Sequence, residues 1–478
     1  MNRIYFLLIL AILTGCAKLD EHPASFITAD QFYKTKEDAL SAVNSAYSNL
    51  NQSDNSSEQG IYGRTLHLTG DISSDDAIPG PKATNTDMRG IGFLSFFTTN
   101  NRVSELWRQH YQGIDRTNIA IDKIPLIEFD HTLRDRLVNE SKFLRALYYF
   151  NLVRLWGGVP LVLHPTTSLD KSGYQIPRAS VDEVYAQIIN DLTDAENLPP
   201  VYTGNDLGRA TAGAAKSLLA KVYLTRQEWD KAIQKSEEVI KGPYGYDLFE
   251  NFADVFNVAT KNGKEHIFSA QFKGFSNRLG NILGQRGTPI IPGISGGDSD
   301  APTEGLYDLY SPVDKRRDVT FFTSLVSPTN GKVYTFIPHF AKYYDPAALS
   351  DLKESSKNVP VIRFAEVLLI HAEAVNEKNG PVGEAYTSIN RVRHRAGLID
   401  LPEGLNKDQF RDSVYLERRL ELVYECQRWF DLVRTKRLLT QLHAWGKPNA
   451  VEKHYLRPIP QGEISANPAL TQNPGWEN

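Results

Sequence analysis

Residues 208–240 read GRATAGAAKSLLAKVYLTRQEWDKAIQKSEEVI, two amphipathic segments joined at TRQE. A counterpart lies downstream, FAEVLLIHAEAV (364–375) followed by GEAYTSINRVR (383–393). In each pair a helix rich in small residues precedes a short turn and a second helix opening near an alanine. Small side chains such as Ala220 and Ala372 let two helix backbones approach closely, the requirement of tetratricopeptide-like hairpins. The pairs match imperfectly and do not recur with a 34-residue period, so the pattern predicts a helical hairpin scaffold and not a long solenoid.

The flanking sequence is also helical. TADQFYKTKEDALSAVNSAYSNL (28–50) offers a cap at Thr28 reciprocated by Gln31, then Ala39, Val43, Ala46 and Leu50 at helical spacing. SELWRQHYQGIDRTNIAIDKI (104–124) and RDRLVNESKFLRALYYFNLVRLWGGVPLVL (134–163) continue the pattern until Gly157-Gly158 stop it, with a strand expected beyond. Ser180 and Glu183 form a capping box ahead of the Val181, Val184, Ile188, Leu192 stripe. From about 242 to 360 the texture changes to Gly, Pro and aromatics with short β-like runs, too apolar for a disordered linker. Helices resume after Pro360 and include FRDSVYLERRLELVYECQRWFDLVRTK (410–436), before a Pro-, Tyr- and Trp-bearing tail able to pack on the surface. The fold class expected is mainly α, a tetratricopeptide-like helical hairpin scaffold with a loop-rich irregular region and a few short strands. The expected division is a leader (1–15), a helical part (16–240) and a second part with the loop-rich region and closing helices (241–478), the latter two forming one unit.

The leader rests on Arg3, the ten apolar-segment residues Ile4 to Leu13, and Leu13-Thr14-Gly15-Cys16. That run is far short of the roughly 20 residues a membrane-spanning helix needs. Cleavage before Cys16 would expose an N-terminal cysteine for acylation, anchoring the chain to membrane lipid; the alternative is a secreted protein with an incidental cysteine. With Cys16 acylated, Cys426 has no disulfide partner and reads as a small core side chain. The 53 basic and 57 acidic residues give a net charge of −4, with no excess pointing to nucleic acid.

Catalytic signatures are sparse: HExxH, CxxC, phosphate-loop and GxGxxG patterns are missing, and no cofactor is expected. Gly293-Ile294-Ser295-Gly296-Gly297 formally fits G-x-S-x-G, but the nucleophile elbow needs a strand before and a helix after it. Asp71, Asp75, Asp76, Asp298 and Asp300 are oxygen donors of the type calcium takes, without EF-hand spacing; solvated or backbone-bonded loop carboxylates are the simpler reading. His110, His339 and His371 lack a local ligand cluster and read as structural. The charges Glu417, Arg418, Arg419, Glu421, Glu425, Arg428, Asp431 and Arg434 are read as helix-stabilising pairs and clamps on neighbours rather than as a pocket. Binding asks for less: rings cover the apolar face of a sugar while loop amides and carboxylates bond its hydroxyls. Candidate rings in or near loops are Tyr62, Phe93, Phe96, Phe97, Trp107, Phe275, Tyr307, Tyr334, Tyr343 and Tyr344, with core packing the competing role for each.

Taken in order, LTGC (13–16), ELWRQHYQGIDRTNIAIDKI (105–124), ESKFLRALYYFNLVRLWGGVPLVL (140–163), GRATAGAAKSLLAKVYL (208–224), VIRFAEVLLIHAEAVNE (361–377), INRVRHRAGL (389–398), LERRLELVYECQRWFDLVR (416–434) and YLRPIPQGEISANPAL (455–470) resemble the SusD/RagB family of Bacteroidetes outer-membrane nutrient-binding lipoproteins. The resemblance runs through almost the whole chain after the leader. It implies a helical body with a loop-rich ligand surface, capture of oligosaccharide or sometimes peptide, and delivery to a partner TonB-dependent transporter, without catalysis. It further implies display on the cell exterior, since Ala17-Lys18-Leu19-Asp20-Glu21 looks like a surface-export signal. No binding motif transfers residue by residue; Arg145, Trp156, Gly157, Gly158, Glu366 and Arg434 lie in the family-like segments and are expected to be structural.

Overall fold

The computed structural model describes residues 32–52, 59–166, 170–274, 279–349 and 354–477. Among these, nine helices of at least 12 residues carry the architecture: α1 (Lys36–Ser48), α2 (Asn101–Lys123), α3 (His131–Trp156), α4 (Val181–Ala195), α5 (Ala212–Thr225), α6 (Trp229–Ile240), α7 (Phe364–Asn379), α8 (Gly383–Arg395) and α9 (Lys407–Leu422). Each packs on its successor from α1 to α8, and α9 closes against α7. The hairpin α5–α6 thus stacks on α7–α8 although residues 241–363 intervene. Ala214, Ala215 and Ala220 on one side and Ala365, Ala372 and Ala374 on the other are fully buried, which gives the backbones their close approach. No described helix is long and apolar enough to cross a membrane.

Caps fix most helix starts. Thr35 with Asp38, Ser180 with Glu183 and Asn406 with Gln409 form capping boxes, while Asn100, Asp130 and Thr211 accept from first-turn amides. The first described helix begins after Thr35; the cap expected from Thr28 and Gln31 lies outside the described residues. α3 ends at Gly157, whose φ of 73° suits glycine, and the next residue is held closely: a Cβ on Gly158 would sit 2.3 Å from the Ala179 carbonyl. Only an isolated bridge from Pro160 to Arg178 follows, where the sequence suggested a strand.

The inserted region holds most of the β-structure, four two-stranded antiparallel pairs: β1 (Ala77–Pro79) with β5 (Asp300–Pro302), β2 (His266–Ala270) with β8 (Val359–Arg363), β3 (Ile290–Ile291) with β4 (Ile294–Ser295), and β6 (Phe321–Val326) with β7 (Val333–Phe340). One hydrophobic cluster runs from Ala46 through the hairpins and the β-pairs to Trp476 in the tail, whose indole N–H donates to the Lys453 carbonyl at 3.0 Å.

A buried ionic web welds the insertion to the helices. Arg363 at the end of β8 donates to Glu265, Glu421 and Glu425; Arg395 of α8 pairs with Glu265 and Glu421; Arg316 pairs with Asp314, Glu417 and Glu421; Lys342 pairs with Glu425. The charged run at 417–434 clamps neighbouring elements, as its sequence suggested, while Arg418, Arg419, Arg428 and Asp431 also line a small cavity of about 140 Å³. Within the run Asp431 pairs with Arg418 and Arg434, while Glu366, Glu373, Asp75 and Asp76 reach its arginines from distant elements. That run is also not one helix. α9 stops at Leu422 and a short helix resumes at Arg428, because Tyr424 and Cys426 adopt left-handed φ of 65° and 59°. Cys426 is buried as expected, yet on this turn rather than on a helix, and its amide donates to Asp71.

Candidate ligand-binding surface

The sequence of β6 and β7, FFTSLV and VYTFIPHF around the turn 327–332, alternates in a way that builds a hairpin anchored at one end only. At the anchored end Phe321 opposes Phe340, and Phe340 stacks on buried Tyr424 with centroids 4.0 Å apart. Toward the turn the strand leaves the body: Val333, Thr335 and Ile337 are exposed while Tyr334, Phe336 and Pro338 are half-buried. Ile337 at 68% and Val326 at 60% exposure show how little covers the outer face of this hairpin, opposite the half-buried face of Tyr334 and Phe336.

Four rings gather on it. Phe322 lies 5.7 Å from Phe336 and 5.3 Å from Tyr344, and His339 lies 5.1 Å from Phe336 and parallel to Phe322. Both His339 nitrogens face oxygens, Nδ1 the Ile337 carbonyl at 2.7 Å and Nε2 the Asp298 carboxylate at 3.2 Å. The amide of Asn330 donates to the Tyr334 hydroxyl at 3.1 Å. The β3–β4 hairpin lies alongside, since Ser327 Oγ donates to the Pro292 carbonyl at 2.7 Å, and β5 connects this group to β1. The result is a platform of half-buried rings over His339, beside Asp298 and Asn330, the combination that stacks on and hydrogen-bonds a polyhydroxylated chain.

Of the rings named from sequence, Tyr344 belongs to this platform, and Tyr334 lies half-buried on the same strand with its hydroxyl on Asn330. Phe97 is 74% exposed, Phe93 is half-buried under the Arg89 guanidinium, and Tyr307 is half-buried between Phe321 and Arg317. Four must be corrected, because the core has taken both ring faces. Tyr62 is buried and accepts from Asn151; Phe96 packs under Trp476; Trp107 packs edge-on to Trp156; Tyr343 packs on Phe256 and Tyr424. Phe275 and the lipidation candidate Cys16 lie outside the described residues. Phe322 and Phe336 were missed as platform members, though the strand–turn–strand alternation of 321–340 is a signal that finds them, while His339 is buried beneath them in the structural role its sequence suggested.

The acidic candidates need correction too. Asp71, Asp75, Asp76 and Asp300 are not solvated loop carboxylates but buried ones already matched to cations. Asp75 pairs with Arg428 and Arg419, Asp76 with Arg419, and Asp300 with Arg64, His67 and the Tyr424 hydroxyl. Asp71 accepts from His67 and from the Cys426 amide. The cause is a pair of wide helical turns, Ile61–Thr65 and Leu68–Ile72, that direct Arg64, His67 and Asp71 inward. Asp76 Oδ2 is buried without a hydrogen-bond partner, but with arginines seated on Asp75, Asp76 and Asp300 and His67 on Asp71 these carboxylates offer calcium no cage; of the five, only Asp298 stands at the platform. Ser295 is exposed on a two-residue strand that enters no helix, so the elbow geometry is missing. His110 is buried with Nδ1 on the Leu106 carbonyl, a structural role.

Open clefts lie elsewhere: one of about 660 Å³ is lined by Tyr386, Asn390, His394 and Asp400, and two others suit an oligomeric sugar less well. One of about 1020 Å³ between His131–Lys142 and Asp194–Pro200 has no Phe, Tyr or Trp in its lining. Another contains Tyr202, Tyr244 and Tyr246 but encloses only about 170 Å³, below the roughly 300–1,000 Å³ of ordinary ligand sites.

A stacked helical-hairpin body carrying an inserted, ring-bearing β platform defines a class of binding scaffold, and comparison with known proteins gives it a family. Residues 322–476 match the model of the SusD family, and residues 19–224 match a family described as starch-binding associating with outer membrane. SusD-like protein P2 of Formosa agariphila is 32% identical over 518 residues, covering 99% of both chains. A SusD superfamily protein from Parabacteroides distasonis superimposes with a TM-score of 0.81 at 30% identity, covering 92% of this chain and 99% of that one. A laminarin binding SusD-like protein superimposes at 0.80 with 27% identity, covering 93% and 100%. The chain belongs to the SusD/RagB family.

Proposed function

We propose that this protein is a cell-surface lipoprotein, processed before Cys16 and anchored there, which captures an oligosaccharide on the β6–β7 platform. It hands the sugar to a TonB-dependent outer-membrane transporter and performs no chemistry itself. The observation that carries the reading is the cluster of half-buried Phe322, Phe336 and Tyr344 over buried His339, on a scaffold whose relatives include a laminarin binder. Tethering beside a transporter raises the local ligand concentration, so a modest affinity is sufficient. The divisions 1–15, 16–240 and 241–478 belong to the same proposal, the last two working as one unit.

Calorimetric titration of the mature chain with a panel of oligosaccharides, laminari-oligosaccharides among them, tests the ligand class. Saturable heat with at least one glycan is expected. Silence across the glycans with binding of peptides would replace the sugar assignment with the peptide one. Pull-down of a barrel transporter from outer membranes by the lipidated protein tests the partner, and a Ser295-dependent hydrolysis rate would overturn the absence of catalysis.

A further inference from the structure

The seam where hairpin α5–α6 meets hairpin α7–α8 contains a charge arrangement that hairpin packing does not require. Glu237 of α6, His371 of α7 and Glu384 of α8 bring one ligand atom each within 4.8 Å of one another. His371 is 5% exposed, and its Nδ1 is committed to Ser388 Oγ at 2.8 Å. Its Nε2 is buried without a hydrogen-bond partner and points toward the carboxylates, 3.8 Å from Glu237 Oε1. If Nδ1–H donates to Ser388, the Nε2 lone pair faces two anionic groups, an arrangement a cation relieves.

We propose that Glu237, His371 and Glu384 form a site for a divalent transition-metal ion of the zinc type, stapling the two hairpins across the insertion. One imidazole and two carboxylates are an ordinary donor set for such an ion, leaving a fourth position to water. Ligand atoms no more than 4.8 Å apart leave a common centre within roughly 2.8 Å of each, so small rotamer changes reach the ~2.1 Å of a zinc bond. Burial keeps the imidazole below the ordinary histidine value, which favours the neutral ligand form. The competitor is Lys241, whose Nζ donates to Glu237 Oε1 at 2.7 Å. Being 68% exposed, it can swing away, so the metal replaces an ammonium and the affinity is moderated accordingly.

Untagged mature protein titrated with Co²⁺, read by its visible absorption, and with Zn²⁺ by calorimetry tests the site. One saturable site per chain is expected. Glu384→Gln, on an exposed side chain that folding does not need, should weaken it tenfold or more; His371→Gln should abolish it, and Lys241→Ala should tighten it. The wild-type melting temperature should rise with Zn²⁺ and that of Glu384→Gln should not. Absence of saturable binding below roughly 1 mM, or equal binding by wild type and Glu384→Gln, would overturn the proposal.

Discussion

Replacing Arg363 with methionine tests whether the buried charges hold the platform region to the helices. Arg363 is 1% exposed, and its guanidinium uses every nitrogen. Nε donates to Glu425 at 2.8 Å; Nη1 donates to Glu265 at 3.0 Å and to Glu421; Nη2 donates to the Glu421 carbonyl at 2.7 Å and to Glu425 at 3.0 Å. Methionine fills similar space without charge. Removing one partner of a buried ionic contact ordinarily costs about 3–5 kcal/mol. Here each carboxylate keeps another cation, since Arg395 still serves Glu265 and Glu421 and Lys342 still serves Glu425. The expected loss therefore lies at the low end, about 3 kcal/mol. Arg363→Lys, with three donors in place of the fork, should fall between. Urea unfolding of the mature chain reads the loss as a lower midpoint. Glu425→Gln should cost at least about 1 kcal/mol less when combined with Arg363→Met than in wild type, because the two positions are coupled. A loss under about 1 kcal/mol for Arg363→Met would refute the clamp.

Three further outcomes follow from the same geometry. Burial pushes Asp300, Glu421 and Asp431 upward, but Arg64 with His67, Arg395 with Arg363 and Arg316, and Arg418 with Arg434 hold them well below the usual carboxylate range. Their contribution is whole above the unfolded pKa near ~4 and is lost as pH falls through the folded values, so the urea midpoint should hold above about pH 5 and fall progressively below about pH 4, continuing beneath pH 3, and a flat profile would contradict this. Gly158→Ala drives a methyl into the Ala179 carbonyl and should destabilise by about 1–3 kcal/mol, visible as a lower melting temperature with unchanged glycan affinity once folded. Phe336→Ala should weaken glycan binding by about 1.2 kcal/mol, roughly eightfold, for about 50 Å² of ring face at ~25 cal/mol per Å²; Trp107→Ala should instead lower stability by about 3–5 kcal/mol and leave the Kd of folded protein unchanged.

Helical periodicity and cap residues make the scaffold legible in the sequence, down to the Ser180–Glu183 box and the pairing of 208–240 with 364–393. Those signals are local, and tetratricopeptide-like packing is largely a matter of local amphipathic stripes. The loops resisted because whether a ring faces in or out is decided by partners far away in sequence. Tyr343 and Tyr344 are neighbours, yet one is sandwiched between Phe256 and Tyr424 and the other stands against Phe322 at the platform. The break between Leu422 and Arg428 was equally hidden, since apolar spacing continues through it; the left-handed turn there sets the Cys426 amide on buried Asp71, a contact between residues 355 positions apart. Asp75 and Asp76 looked like loop acids for the same reason: Arg419 and Arg428 reach them from the far end of the chain.

The most direct test of the central claim is a crystal structure of the mature protein with the oligosaccharide that gives the strongest calorimetric signal. The account predicts a sugar ring stacked within about 4 Å of Phe336, Phe322 or Tyr344, with hydroxyls bonded to Asp298 or Asn330. A saccharide seated elsewhere, in the Tyr202–Tyr244–Tyr246 cleft for example, with the β6–β7 hairpin bare, would contradict it.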